Sequence, residues 1–207
     1  MKIFTEYVAE EFLEKKGFPV VQRKIFTDLN EARNYAGKIG FPVVLKLSSD
    51  ELLHKTEVNA VKLDVHTDNF EKEFFKLSKM KIKHNGVVVQ KFVNGKYVII
   101  GVKKDPTFGD VMLVGIGGIF AEVIKDVSFR VLPINRIDAF EMLKELKGYE
   151  VLVGFRAHKI NINSVINVML KTSKLAMKNK NIEELDINPL VVNENKSFVV
   201  DARIVFS

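Results

Sequence analysis

The sequence has no cysteine, which removes disulfides, thiolate nucleophiles and cysteine-ligated zinc together. It also lacks any apolar run near the ~18 residues that a membrane span requires. The opening Met1-Lys2-Ile3-Phe4-Thr5-Glu6 has no long apolar segment of the secretory kind, so a cytoplasmic protein with no membrane association is expected. Arginine is scarce, contributing six of the 32 basic residues. Nucleic-acid surfaces cluster basic groups and favour the bidentate guanidinium. Here lysine is spread along the chain, with Lys79, Lys81 and Lys83 the only tight group, so a solvated lysine-rich surface and no nucleic-acid partner are expected. The net charge of +6 would still attract small anions such as nucleotides.

What is present suits a soluble globular chain: 207 residues, 47% apolar and 28% charged, enough for one sizeable core or a single two-lobed domain. Helical spacing of Phe4, Tyr7, Val8 and Phe12 ends at Gly17, and Asp28 with Glu31 opens a second helix that ends at Gly40. Both helices run into the same turn chemistry, Gly-Phe-Pro-Val-Val, where the valines open a strand. Val43 to Leu47 reads as a buried strand, and Val58 to Val65 alternates, with Val61, Leu63 and Val65 on one face. Asp68 and Glu71 are expected to cap a helix carrying Phe70, Phe74 and Leu77. Strands at 87–93 and 97–102 flank Asn94-Gly95, a strong hairpin signal. Strands at 111–114 and 127–132, helices near 137–146 (ending at Gly148) and 165–178, and a final pair of strands at 185–192 and 198–205 complete the reading. Mixed helices and antiparallel hairpins make the class α+β.

The last hairpin carries the most chemistry. Pairing symmetric about a turn centred between Glu194 and Asn195 sets Asn188 opposite Asp201 and Asp186 opposite Arg203. Directly opposed residues share a face with Cβ atoms ~4.5–5.5 Å apart, so an amide oxygen and a carboxylate converge as magnesium ligands do. Asn188 before Pro189 also suits a plain turn, and Asp186 suits a cross-strand ion pair with Arg203. Asp201 interrupts an apolar run, where an unpaired carboxylate is costly. Lys46 lies inside the apolar strand 43–47, and it either snorkels from an edge or meets an anion such as a nucleotide phosphate. His54 sits in a loop between strands, where a structural and a functional histidine look alike. Gly115-Ile116-Gly117-Gly118 after a strand could form a phosphate-binding nest, but it lacks the remainder of a dinucleotide or Walker motif.

Six segments in one order carry a resemblance. They are Gly40 to Lys46, Leu53-His54-Lys55-Thr56, Gly101 to Gly109, Gly115 to Glu122, Asp126 to Arg130 and Glu184 to Leu190. Together they resemble the ATP-grasp (beta) subunit of ADP-forming acetyl-CoA synthetase, related to the beta subunit of succinyl-CoA synthetase. The likeness runs over nearly the whole chain. It implies an ATP-grasp fold, two lobes with mostly antiparallel sheets gripping a nucleotide, the lobes being 18–91 and 1–17 plus 92–207. It implies a CoA-binding alpha subunit as partner, on a separate polypeptide and in an alpha2-beta2 heterotetramer, with ATP or ADP and magnesium bound. The implied reaction converts acyl-CoA, ADP and phosphate to free acid, CoA and ATP through phosphohistidines. On this likeness His54 is the relay histidine and Asp186 orients it. Lys46 holds the nucleotide phosphates, and Gln90, Lys91 and Val93 meet adenine at the hinge. Asn188 and Asp201 bind magnesium.

Three departures accompany the likeness. The family places two glycines where Asn59 and Ala60 stand, with an aspartate at Glu57, which bears on how the His54 loop moves. It places glutamates where Tyr97 and Lys91 stand, which bears on nucleotide preference. These substitutions motivate the alternative of a subunit that binds nucleotide without catalysing.

Overall fold

The computed structural model describes residues 2–49, 58–118, 126–154 and 159–207. The chain divides into two compact units, Val21–Val93 and the remainder, Met1–Val20 with Asn94–Ser207.

The unit Val21–Val93 is a four-stranded antiparallel sheet in the order β2 (Arg23–Phe26), β5 (Gly86–Lys91), β3 (Val43–Ser48), β4 (Val61–Val65). Helices α2 (Leu29–Ile39) and α3 (Phe70–Ser78) cover one face. Asp28 caps α2 by accepting from the Glu31 amide at 2.9 Å, and Gly40 ends it with φ +87°. The core under these helices gathers Val43, Leu45 and Leu47 from β3 and Phe70, Phe74 and Leu77 from α3. The cap of α3 is Asn69, not Asp68, and its side chain accepts from the His66 amide at 2.8 Å. The expected alternation of β4 fails at Leu63, which is 59% exposed. The register shifts between Val43 and Leu45, and Asp64 takes φ +53°, so the strand rotates within its own length.

The second unit is a seven-stranded antiparallel sheet. Its path is β1 (Lys2–Phe4), β11 (Ala202–Phe206), β9 (Ile182–Val192), β6 (Lys96–Asp105), β7 (Gly109–Ile116), β8 (Val127–Val131), with β10 (Ser197–Val199) also paired to β9. Helices α1 (Glu6–Lys15), α4 (Arg136–Lys144), α5 (Tyr149–Val153) and α6 (Ile162–Lys178) all bury apolar residues on one face of this sheet. That core takes Leu185 and Ile187 from β9 and Ala202, Ile204 and Phe206 from β11, so their neighbours in sequence face the other way.

Several sequence expectations change here. Phe4 lies on β1, paired with Ile204, and not on the first helix. Gly148 does not end the helix at 136–144; it is the N-cap of α5, while Asn135 opens α4 with a capping box. Most consequentially, Asn94-Gly95 is no hairpin turn, because β5 and β6 belong to different sheets. The hairpin lies one strand later, at β6–β7. There the Asp105 carboxylate accepts from the Thr107 and Phe108 amides at 2.8 and 2.9 Å, and Gly109 has φ +78°.

Candidate functional site

In the unit Val21–Val93, the face of the sheet away from α2 and α3 carries Lys46. Its strand neighbours Leu45 and Leu47 point into the core, which sends Lys46 to the opposite face, where it is only 5% exposed. Val88 and Val61 flank it on the adjoining strands. One residue pair along, Gln90 is buried on this same face, opposite Val44 on one side and Arg23 on the other. Arg23 is itself buried, and its Nη1 donates to the Val21 carbonyl at 3.3 Å. Three polar side chains, Lys46, Gln90 and Arg23, thus share one apolar-lined sheet face. The sequence reading missed Arg23, because the pairing of β2 with β5 that sets it beside Gln90 spans a large separation in the chain. The available signal was an arginine opening a short strand with Ile25 two residues on.

Lys91 follows Gln90 and therefore points to the other face of the strand, exposed, while its amide donates to the Gln22 carbonyl at 2.9 Å. Only main-chain atoms of Lys91 reach the side on which Gln90 lies. Val93 comes after the strand ends and is partly exposed. Asn59 has φ +56°, the left-handed conformation that a glycine adopts freely, so the turn before β4 keeps its course without one. Ala60 is fully buried, and its carbonyl accepts from the Leu47 amide at 2.9 Å. His54, the expected relay, lies outside the described residues.

In the other unit, the register of β9 with β10 and β11 is the one the turn predicts. Ser197 faces Val192, Phe198 faces Val191 and Val199 faces Leu190; the same register resumes with Ala202 on Ile187 and Arg203 on Asp186. Between these stretches the Asn188 amide donates to the Asp201 carbonyl at 3.1 Å, so the two residues are directly opposed. Because Ile187 and Ala202 are core residues, Asn188 and Asp201 both turn to the open face. Asp186 and Arg203 occupy the next rung of that face. The four residues form two rungs, an amide–carboxylate pair and a carboxylate–guanidinium pair.

The second rung is not an ion pair. Among the described residues neither side chain of Asp186 nor of Arg203 makes a hydrogen bond or an ion pair, and the Arg203 Nε is buried without a hydrogen-bond partner. The Asp186 carboxyl is pushed up to about 6, first by burial and then by the charge of Glu184, with Arg203 acting against both. On its other side Asp186 faces Gly101, where an added Cβ would meet Asp186 Oδ1 at 3.7 Å. The glycine makes room for the carboxylate on the sheet face.

The donor chemistry suits a hard divalent cation. Asn188 and Asp201 set one amide oxygen and one carboxylate on opposed positions of this face, and among the described residues no group of three or more His, Cys, Asp and Glu could hold a metal. The Gly115-Ile116-Gly117-Gly118 run serves strand contact instead of a free nest at its start. The Gly117 amide donates to the Tyr97 carbonyl at 2.8 Å, and a Cβ there would lie 2.8 Å from the Tyr97 Cβ. Asp126 likewise is structural, accepting from the Lys147 and Gly148 amides at 2.8 Å each. A hollow of about 370 Å³ lies elsewhere in this unit, lined by Lys16, Phe18, Lys171, Lys174, Leu175, Lys178 and Asn179, and it contains none of the candidate residues. No described helix is long and apolar enough to cross a membrane.

The sequence profile described as an ATP-grasp domain matches residues 1–206. The chain is 37% identical over 206 residues to the acetate–CoA ligase [ADP-forming] I subunit beta of Pyrococcus furiosus, covering 95% of this chain and 89% of that one. It is 42% identical over 201 residues to the acetate–CoA ligase [ADP-forming] I of Archaeoglobus fulgidus, covering 93% of this chain but spanning only 29% of that longer protein. Among solved structures, the dinucleotide-forming acetyl-coenzyme A synthetase 1 of Ca. Korarchaeum cryptofilum, in complex with coenzyme A and Ca-AMPCP, superposes with a TM-score of 0.92 at 34% identity over 100% of this chain and 94% of that one. The same protein with coenzyme A and Mg-AMPPCP, its phosphohistidine segment pointing towards the nucleotide-binding site, gives 0.85 at 35% identity, covering 100% and 93%.

Proposed function

The chain belongs to the ATP-grasp domain family, and from that membership we propose that it is the nucleotide-handling subunit of an ADP-forming acyl-CoA synthetase. The reaction is acyl-CoA, ADP and phosphate to acid, CoA and ATP. A CoA-binding alpha partner forms the acyl phosphate and passes its phosphoryl group through a phosphohistidine, in an alpha2-beta2 assembly. This chain then moves the phosphoryl group from that phosphohistidine to His54 and on to ADP. Each transfer breaks one N–P bond and forms one N–P or O–P bond, so atoms and charge balance.

The single observation that carries this reading is the rung of Asn188 opposite Asp201 on the open sheet face, oxygen donors in the pattern a magnesium nucleotide requires. Asn188 and Asp201 would hold magnesium, which when bound neutralises phosphate charge. Lys46, buried beside Val61 and Val88, would hold phosphate oxygens with its ammonium, where low polarity strengthens the attraction. Gln90 and the main chain of Lys91 and Val93 recognise the base. Asp186 orients the His54 imidazole, and phosphoryl transfer asks little more of a protein than such positioning and charge neutralisation.

Calorimetry with Mg·ADP, followed by turnover with the alpha partner, tests the reading. Lys46→Met is expected to weaken Mg·ADP binding by roughly 10–100-fold, the loss of one charge-assisted contact. His54→Ala is expected to keep nucleotide binding while abolishing acyl-CoA-dependent ATP synthesis. Full synthesis by His54→Ala would remove the relay assignment. Tight Mg·ADP binding by the unaltered chain with no turnover would favour the non-catalytic alternative, for which Tyr97 and the Asn59-Ala60 pair stand as the motivating departures.

A further inference from the structure

Arg203 is a charged group on the open face of the seven-stranded sheet to which the function above gives no task. It stands directly opposite Asp186, an arrangement that normally produces a cross-strand ion pair. It does not produce one here: no hydrogen bond or ion pair joins the two side chains, and the buried Nε of Arg203 has no partner. A guanidinium carries five donors in a fixed fork and is costly to desolvate without acceptors. The buried Nε–H is left without an acceptor among the described residues, and a ligand with oxygen acceptors would supply one. The position selects which one. Arg203 is two residues beyond Asp201 on the same face, a step of about 7 Å along a strand, which an arginine side chain spans. Asp201 and Asn188 form the neighbouring rung.

We infer that Arg203 binds the terminal phosphoryl group of the nucleotide, its guanidinium gripping the oxygens of the group in transfer. This rests on the nucleotide-site reading and adds a residue specific to the transferred phosphoryl group. The fork geometry is suited to phosphate oxygens in a way an ammonium is not.

The test compares Mg·ADP with Mg·AMPPCP, which adds a non-hydrolysable terminal phosphoryl group, by calorimetry on the full chain. Arg203→Gln is expected to weaken Mg·AMPPCP binding about 10–100-fold and Mg·ADP binding less than about threefold. Arg203→Lys is expected to fall between, because charge is retained and the fork is lost. Thermal melts of each variant report folding. Should Arg203→Gln fail to fold, Arg203→Lys decides alone by the same ratio of affinities. Equal losses for both nucleotides in a folded variant, or no loss for either, would overturn the inference while leaving the nucleotide site standing. Failure of the unaltered chain to bind either nucleotide would instead remove the proposed function on which the inference depends.

Discussion

Two glycines separate the two reasons a chain needs one. Gly95 has no left-handed conformation to explain it; a Cβ there would sit 2.5 Å from the Val192 carbonyl oxygen and 2.9 Å from Val191 Cγ1. Gly109 has open space around it but φ +78°. Gly95→Ala must push backbone against backbone where β6 begins to pair with β9, and about 1–3 kcal/mol of destabilisation is expected. Gly109→Ala meets only conformational strain, about 1–2 kcal/mol. Urea unfolding of both variants checks this, and a Gly95→Ala protein as stable as the parent would contradict the close approach. Residue identity at both sites was legible in the sequence, but only Gly109, after Asp105-Pro106-Thr107-Phe108, announced its reason locally. At Gly95 the Asn-Gly pair imitates a hairpin turn, and the atoms that exclude a side chain come from residues 191 and 192, far away in the chain.

Among elements, β8 and the end of α4 show how a sheet edge is held. Ser128 Oγ donates to Glu145 Oε2 at 2.5 Å and Arg130 Nη1 donates to the same oxygen at 3.0 Å, with Arg130 Nη2 on Oε1. Arg130 first, then Ser128, hold the Glu145 carboxyl below its ordinary range. The carboxylate therefore binds protons less readily folded than unfolded. Its stabilisation is present above the unfolded value near 4.5 and is lost as pH falls through the lower folded value. The pair is exposed, side chains 35% and 45%, so screening limits the contribution to about 0.5 kcal/mol. Glu145→Gln should lower the melting temperature slightly at pH 7, and the deficit should shrink as pH falls below about 4.5. A deficit that did not shrink on acidification would locate its cause in packing and not in the charge. The Asp-Val-Ser-Phe-Arg segment was singled out from the sequence for its resemblance, yet two of its polar residues, Asp126 and Ser128, satisfy amides and a carboxylate within the fold. Their structural role was not readable without knowing that residues 145–148 return to this strand.

At the scale of the whole molecule, charge and core are distributed differently. Each unit has its own apolar core beneath its own sheet, and lysines dominate the surface of α6, where Lys171, Lys174 and Lys178 border the basic hollow. A net charge of +6 spread mostly over lysine gives a diffuse field and not a groove-reading surface. Filter binding to duplex DNA is expected to be weak at about 150 mM salt, and submicromolar binding with a steep salt slope would contradict that view.

The sequence by itself determined the α+β class, the helix caps at Asp28 and Gly40, and the register that opposes Asn188 to Asp201. Each of these depends on interactions across a few residues or across one short turn, where geometry leaves little choice. Tertiary structure alone decided that β5 and β6 part into different sheets, that Arg23 joins Lys46 and Gln90 on one face, and that Arg203 and Asp186 stand opposed without pairing. Those outcomes depend on which distant strand wins each edge and on how much water burial removes from a charge, and neither quantity is written in any local run of residues.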